Sequence, residues 1–128
     1  MAEPSYPDDL IYHSEHDWAR VEEDSATFGI TWYAQDALGE VVFFQPPEVG
    51  SSVAQGQPYA EIESVKAVSD VFAPLSGEVV AVNDALSDRP ETVNEDPYGE
   101  GWLVRVRLSD PSEAESLMSA ADYQVTLS

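Results

Sequence analysis

EIESVKAVSD, residues 61–70, is the stretch that decides the fold, because it places an isolated lysine, Lys66, inside a run of β-prone residues. Lysine is almost never fully buried, so a solvent-facing turn between two strands is its natural position. Gly56 lies ten residues before Lys66 and Gly77 eleven residues after it, which predicts two arms of similar length meeting at the lysine. The glycine and proline punctuation from 50 to 82 is typical of hairpins in a small β-sandwich or barrel.

Lys66 is the only lysine in the chain, so any covalent modification of a side-chain amine must occur there. An exposed lysine is ordinarily just a solubilising charge. This one is flanked by the apolar residues Val65 and Ala67 and lies at the centre of a glycine-bounded pair of hairpins. We therefore treat Lys66 as a candidate modification site. The cationic side chains of the whole sequence are Arg20, Lys66, Arg89, Arg105 and Arg107.

The chain has 128 residues, 43% of them hydrophobic, which suits one compact domain, 1–128. Within it we predict an N-terminal hairpin and short helix over 12–39, a central hairpin core over 40–82, and a C-terminal strand and helix over 102–123. Residues 1–4 lack the basic and apolar regions of a secretory signal, and no apolar run approaches the roughly 20 residues that cross a bilayer. We expect a cytoplasmic bacterial protein.

The charge balance limits the partners. Twenty-five acidic residues against five basic ones give a formal charge of -20, which opposes binding to nucleic acid or to an anionic membrane. Such a surface either steers the protein toward basic patches on partner proteins or serves only solubility. The absence of cysteine excludes disulfides, a thiolate nucleophile and cysteine-ligated metal.

The segment before the central hairpins predicts a β-hairpin and a short helix. Residues 18–21 and 26–30 read as strands around a polar turn. Thr31 can cap a helix that Gly39 ends in a left-handed conformation. The next strand, 40–45, contains the run VVFF, which we expect to be buried on both faces.

The segment after the central hairpins predicts surface turns, a strand and a helix. Residues 83–94 favour one or two helical turns, and 102–108 alternate as a strand with one buried face. Asp110, Pro111 and Glu113 predict a capping box that starts a C-terminal helix. The apolar stripe expected for that helix is Ala114, Leu117, Met118 and Ala121.

Two motifs in the central region, ESVKAVSD at 63–70 and APLSGEV at 73–79, resemble the lipoyl-attachment region of glycine cleavage H proteins. The resemblance extends from about Tyr12 to Tyr123 and includes 29–31, 34–35, 38–43 and 93–104. Biotin carriers usually have methionine on both sides of the modified lysine, where this chain has Val65 and Ala67. Lipoyl domains of 2-oxo acid dehydrogenases usually have an acidic residue before the lysine, and they belong to long multidomain chains.

The resemblance implies a mostly β fold of the barrel-sandwich hybrid type, lipoyl-domain-like, with short peripheral helices and a C-terminal helix. It also implies a non-catalytic, monomeric carrier with lipoic acid attached covalently to Lys66. Its partners would be glycine decarboxylase (P protein), aminomethyltransferase (T protein) and dihydrolipoyl dehydrogenase (L protein). A lipoate ligase or lipoyl/octanoyl transferase would load it. Two alternatives stay open: a donor that passes lipoyl groups to other enzymes, and a structural or regulatory domain without a carrier role.

In this family two carboxylates are assigned to contacts with the loaded lipoyl arm. The resemblance places them at Asp17, in the motif His16-Asp17-Trp18, and at Asp70, four residues after Lys66. The family commonly has Glu where this chain has Asp17. Both acids could equally be solvated surface residues, and Trp18 is more often a core anchor than a cofactor wall.

The sequence predicts neither a catalytic nor a metal site. His13 and His16 are three residues apart, but no further ligand candidates follow at metal-binding spacing. No Ser-His-acid or paired-carboxylate arrangement indicates a catalytic centre.

Overall fold

The computed structural model describes residues 5–127, which form two antiparallel β-sheets and short helices. The expectation about residues 1–4 lies outside that range. No helix in the described part of the chain is long and apolar enough to cross a membrane. The strands are β1 (Ile11–His13), β2 (Asp17–Glu22), β3 (Ser25–Ile30), β4 (Val41–Gln45), β5 (Ser52–Val53), β6 (Pro58–Ser64), β7 (Val68–Phe72), β8 (Gly77–Val82) and β9 (Val104–Leu108). The helices are α1 (Trp32–Leu38), a 3-10 helix (Asp84–Ser87), α2 (Thr92–Glu95), a second 3-10 helix (Pro111–Ser116) and α3 (Ala120–Leu127).

The six-stranded sheet has the order β1-β2-β3-β9-β8-β5, and the three-stranded sheet has the order β4-β6-β7. Buried side chains of both sheets, such as Phe28 and Ile62, belong to one apolar cluster. A second cluster forms where Trp18 and Tyr12 pack against Tyr123 of α3. The predicted mostly β fold with short peripheral helices is confirmed, and the two sheets are not closed into a barrel.

Several predicted elements are confirmed. β2 and β3 form the expected hairpin, and β9 alternates buried and exposed residues over its length. Thr31 caps α1 by accepting a hydrogen bond from the backbone N–H of Ala34 at 3.2 Å. Gly39 ends α1 with a φ of 82°, a conformation that glycine adopts without strain. The sequence therefore encoded these local boundaries correctly.

The burial predicted for β4 on both faces is wrong. Val41 and Phe44 are buried, but Val42 and Phe43 between them are exposed. β4 is an edge strand of the three-stranded sheet, and its register with β6 shifts between Val41 and Phe43. A bulge of this kind turns consecutive side chains to the same face, so the apolar run does not imply a strand buried on both sides.

The prediction of a continuous C-terminal helix is also wrong. Backbone hydrogen bonds of 2.8 Å in both directions join Met118 to Tyr12 and interrupt the helical segment between the second 3-10 helix and α3. Ala121 is consequently exposed, whereas Ala120 and Tyr123 are buried. Pairing with β1 satisfies backbone groups that a continuous helix would have bonded internally.

The capping box at Asp110 is only half formed. Asp110 accepts a hydrogen bond from the N–H of Ser112 at 3.2 Å, as a cap does. Glu113 does not reach back to Asp110; its carboxylate accepts hydrogen bonds from the N–H and the hydroxyl of Ser76, at 2.7 and 2.8 Å. A side chain predicted to stabilise its own helix therefore attaches that helix to the segment before β8.

Replacing Glu113 by alanine tests this long-range attachment. We expect Glu113→Ala to lower the free energy of unfolding by about 1–3 kcal/mol, because Ser76 loses two charge-assisted hydrogen bonds. Glu115→Ala is the matched control, since it removes an exposed acid from the same 3-10 helix. Urea unfolding of both variants measures the difference, and equal stabilities would contradict the role assigned to Glu113.

Candidate functional site

Lys66 lies at the tip of the β6–β7 hairpin and is exposed, as the sequence predicts. Ser64, which is buried, stabilises the turn through hydrogen bonds. The Ser64 hydroxyl accepts hydrogen bonds from the N–H groups of Lys66 and Ala67, at 3.3 and 3.2 Å. The N–H of Ser64 donates to the carbonyl of Ala67 at 2.8 Å. These bonds fix the backbone of the turn while the lysine side chain faces solvent.

The end of α1 supports the base of the tip. The N–H of Val65 donates to the carbonyl of Glu40 at 3.0 Å. A Cβ placed on Gly39 would lie 3.6 Å from Cε of Lys66, so the lysine stem lies next to this glycine. Asn94 of α2 holds the same segment, because its amide donates to the carbonyl of Gly39 at 2.8 Å. The oxygen of that amide accepts from the N–H of Val41, also at 2.8 Å.

The amine of Lys66 is available for reaction. The ion pairs found among residues 5–127 involve Arg89 and Arg107, and none involves Lys66. A lysine buried in the core would have ruled out modification by another enzyme, and the exposed tip removes that objection. The position therefore suits an amine that a second protein must reach.

A cleft of about 260 Å³ lies beside α1, with Asp17 and Asp70 both in its lining. Leu38 also lines it, and Leu38 precedes Gly39, against which the Lys66 stem lies. Asp70 is on β7, four residues after Lys66. The structure thus brings the two predicted residues, Asp17 and Asp70, to the lining of one cleft.

Asp17 is buried, which excludes the solvated surface role for this residue. Its side chain is only 2% exposed, and Oδ2 has no hydrogen-bond partner. Burial raises the pKa of the Asp17 carboxyl well above its usual range, and the charge of Glu15 adds to the rise. Trp18 is fully buried and donates from Nε1 to the carbonyl of Pro97 at 3.1 Å, so its role as a core anchor is confirmed.

Asp70 differs from Asp17 in its surroundings. It is exposed and lies opposite Glu61 of β6, so its carboxylate is hydrated and adjoins a second exposed acid. The solvated role therefore remains open for Asp70. Of the two acidic residues predicted from the sequence, Asp17 is buried and Asp70 is exposed.

His16 forms part of the cleft wall and is held by α3. Its φ is 73°, an uncommon conformation for a residue with a side chain, and Nδ1 lies 2.7 Å from the hydroxyl of Tyr123. The same hydroxyl lies 2.9 Å from Oγ1 of Thr31. Burial lowers the pKa of His16, which favours a neutral imidazole at pH 7. Tyr123 therefore joins the turn before β2 to the start of α1.

Sequence reasoning missed three supporting residues. Ser64 carried one local signal, a small hydroxyl side chain two positions before the lysine in a β-prone run. Asn94 and Tyr123 carried none, since their partners are 53 to 107 positions away in the chain. Taken together, the site offers an acylatable amine and a nearby cleft whose buried carboxyl can accept a hydrogen bond or balance a positive charge.

Comparison with known proteins gives consistent results. The model of the glycine cleavage H-protein family matches residues 10–128. The glycine cleavage system H protein of Rubrobacter xylanophilus is 60% identical over 117 residues, which are 91% of this chain and 90% of that protein. The H protein of Halorhodospira halophila is 54% identical over 119 residues, 92% of each chain. The crystal structure of a glycine cleavage system H protein from Mycobacterium marinum superposes with a TM-score of 0.85 at 39% identity, covering 94% of this chain and 97% of that one.

Replacing Asp17 by asparagine tests the protonation state of the buried carboxyl. The folded protein holds this proton more tightly than the unfolded chain, so the contribution of Asp17 to stability falls as pH rises from about 3.8 to the higher folded pKa, and is constant above it. We expect Asp17→Asn to raise the free energy of unfolding at pH 7 by about 1–3 kcal/mol. The gain should vanish near pH 3.5.

Urea unfolding between pH 3.5 and 8 provides the measurement. The free energy of unfolding of the natural sequence is subtracted from that of D17N at each pH, so that the contributions of the other acids cancel. Asp24→Asn is the control, since it neutralises an exposed acid in the β2–β3 turn and should change stability by less than about 0.5 kcal/mol. A D17N protein that is less stable at pH 7, or a difference that does not vary with pH, would contradict a protonated Asp17.

Proposed function

The chain belongs to the glycine cleavage H-protein family, whose members are non-catalytic lipoyl-carrier subunits, and from that premise we propose that it carries a lipoyl group on Lys66. The observation that carries the proposal is the single lysine of the chain, exposed at the tip of a hairpin whose second strand, β7, lines a cleft with a buried carboxyl. A carrier needs these features because other enzymes must reach the attachment point, while the carried group needs shelter between encounters.

In this role the protein takes the aminomethyl group of glycine from the pyridoxal-phosphate-dependent decarboxylase to the aminomethyltransferase, and then passes electrons to dihydrolipoyl dehydrogenase. A lipoate ligase or lipoyl/octanoyl transferase loads it first. We place the protein in the bacterial cytoplasm as a monomer, with no role in binding nucleic acid or membranes. The formal charge of -20 supports short encounters with basic surfaces of these enzymes.

The residues present fit a lipoyl group. Acylation of Lys66 removes one positive charge, and this costs the structure no ion pair within residues 5–127 that includes the lysine. When bound, the lipoyl group supplies a disulfide that accepts a carbon unit and electrons. Covalent attachment also keeps the group near a docked enzyme at an effective concentration on the order of millimolar.

Asp17 would hold a cationic group carried into the cleft, and Asp70 would attract it. Oδ2 of Asp17 lacks a partner and is shielded from water, so an amine that donated to it would satisfy a buried polar atom. The resulting ion pair would favour the ionised carboxylate and lower the raised pKa of Asp17. Asp70 is exposed, so it would attract a cation to the cleft without holding it tightly.

Lys66→Arg tests the attachment site. Arginine keeps the positive charge but has no acylatable amine, so we expect a folded protein that gains no lipoyl mass when incubated with lipoate ligase, lipoate and ATP. Intact-mass analysis provides the measurement. Arg89→Lys is the control, because it adds a second exposed lysine outside the β6–β7 hairpin and should still give one lipoyl addition, on Lys66. Lipoylation of K66R, or an unmodified protein with the natural sequence, would refute the proposal.

Asp70→Asn tests the contact with the loaded arm. If the Asp70 carboxylate interacts with the aminomethyl cation, its neutralisation should shorten the lifetime of the aminomethyl-loaded protein about two- to fivefold, as expected for an exposed charge pair worth about 0.5–1 kcal/mol. Glu61→Gln is the matched control, since Glu61 is the exposed acid opposite Asp70 on β6. Formaldehyde release over time reports the lifetime, and an equal effect in both variants would reduce Asp70 to general surface charge.

A further inference from the structure

An apolar patch surrounds the hairpin tip on the outer side of the three-stranded sheet. Phe43, Val65 and Val68 are 47%, 67% and 61% exposed. Phe43 is the cross-strand partner of Glu63, and Glu63 is the partner of Val68, so these three side chains form one row across β4, β6 and β7. Val65 lies in the turn beside this row. We name Phe43, Val65 and Val68 the tip patch.

Acidic residues border the tip patch. Glu63 interrupts the row, and the next row along the sheet consists of Gln45, Glu61 and Asp70, all exposed. The ion pairs of the described chain involve Arg89 or Arg107, and none includes these acids. A complementary surface would therefore present an apolar depression bordered by lysine or arginine side chains.

The length of the unmodified lysine decides which partner must cover this patch. The extended side chain of Lys66 reaches only about 6 Å from its Cα, as five bonds of ordinary length allow. An enzyme that acylates this amine must therefore bring its active site against the residues next to Lys66. Enzymes that act on the end of an acylated arm can dock farther away. Contact with the tip patch is thus a stricter requirement for acylation than for later steps.

We propose that the tip patch is the docking surface for the enzyme that acylates Lys66, through an apolar depression with a basic rim. This inference rests on the proposed attachment of lipoate at Lys66. In the reaction, the deprotonated amine attacks the carbonyl carbon of an acyl adenylate made from lipoate and ATP. An amide C–N bond forms, the acyl C–O bond breaks, AMP leaves with the electron pair, and the proton of the amine goes to solvent.

Replacing the two strand residues of the patch by threonine tests the inference. Threonine keeps a high strand propensity but removes most of the apolar contact. With purified lipoate ligase, lipoate and ATP, we expect kcat/KM for acylation of the Phe43→Thr, Val68→Thr double variant to fall by roughly tenfold or more. The Phe43→Leu, Val68→Ile double variant, which keeps the patch apolar, should stay within about twofold of the natural sequence.

Val80→Thr is the matched control, because Val80 is also an exposed strand valine, at 42%, but lies on β8 of the other sheet. It should be acylated at the natural rate. Thermal melting checks that each variant is folded. If the double threonine variant is unfolded, Val65→Ser replaces it, since Val65 lies in the turn outside the strands, and a fall of roughly threefold or more is expected.

Three results would overturn the inference. The first is an unchanged kcat/KM for the folded threonine or serine variant. If K66R gains no lipoyl group in the same assay, the proposed attachment at Lys66 still stands and only the docking surface is refuted. The second is an equal loss in Val80→Thr. The third is a dimer, detected by sedimentation, that the threonine variant abolishes without a change in kcat/KM, because the patch would then bind a second copy of the chain. Failure of the natural sequence to be acylated would overturn the proposed function and this inference with it.

Discussion

The hydrogen bonds of the Ser64 hydroxyl are the constraint on which the site depends. They hold the N–H groups of Lys66 and Ala67 at the hairpin tip, so the backbone is fixed where the side chain must be free. Without the Ser64 hydroxyl these two N–H groups would lose their partner, and the position of the lysine would be less well defined. Asn94 adds support from α2 by binding the segment around Gly39, next to the lysine stem.

The buried carboxyl of Asp17 is costly for the folded protein. Its Oδ2 and the hydroxyl of Tyr59 are the buried side-chain polar atoms of residues 5–127 that have no hydrogen-bond partner. Buried polar groups without partners destabilise a protein, and functional sites are where proteins most often carry such groups. The cost is understandable if a donor enters the cleft between α1 and β7. A protonated Asp17 in the empty cleft also limits the charge that must be buried.

The predictions from the sequence that are wrong share one cause, because local patterns do not specify contacts with distant residues. The run VVFF predicted burial on both faces, but the edge position of β4 and its bulge exposed Val42 and Phe43. Glu113 fitted a local capping box, yet its carboxylate binds Ser76, 37 positions away. The pairing of Met118 with Tyr12 likewise broke a helix that its apolar periodicity favoured. In each case a long-range contact replaced the local alternative.

The sequence by itself determined the position of the only side-chain amine, because the chain has one lysine, and the β-prone arms on both sides of it require a turn there. It also determined the first hairpin and the limits of α1, since capping and left-handed glycine conformations are local effects. Only the tertiary structure decided that Asp17 is buried while Asp70 is exposed to solvent, and that both residues line one cleft. Burial and electrostatic environment are set by atoms brought together from distant segments, and no local pattern encodes them.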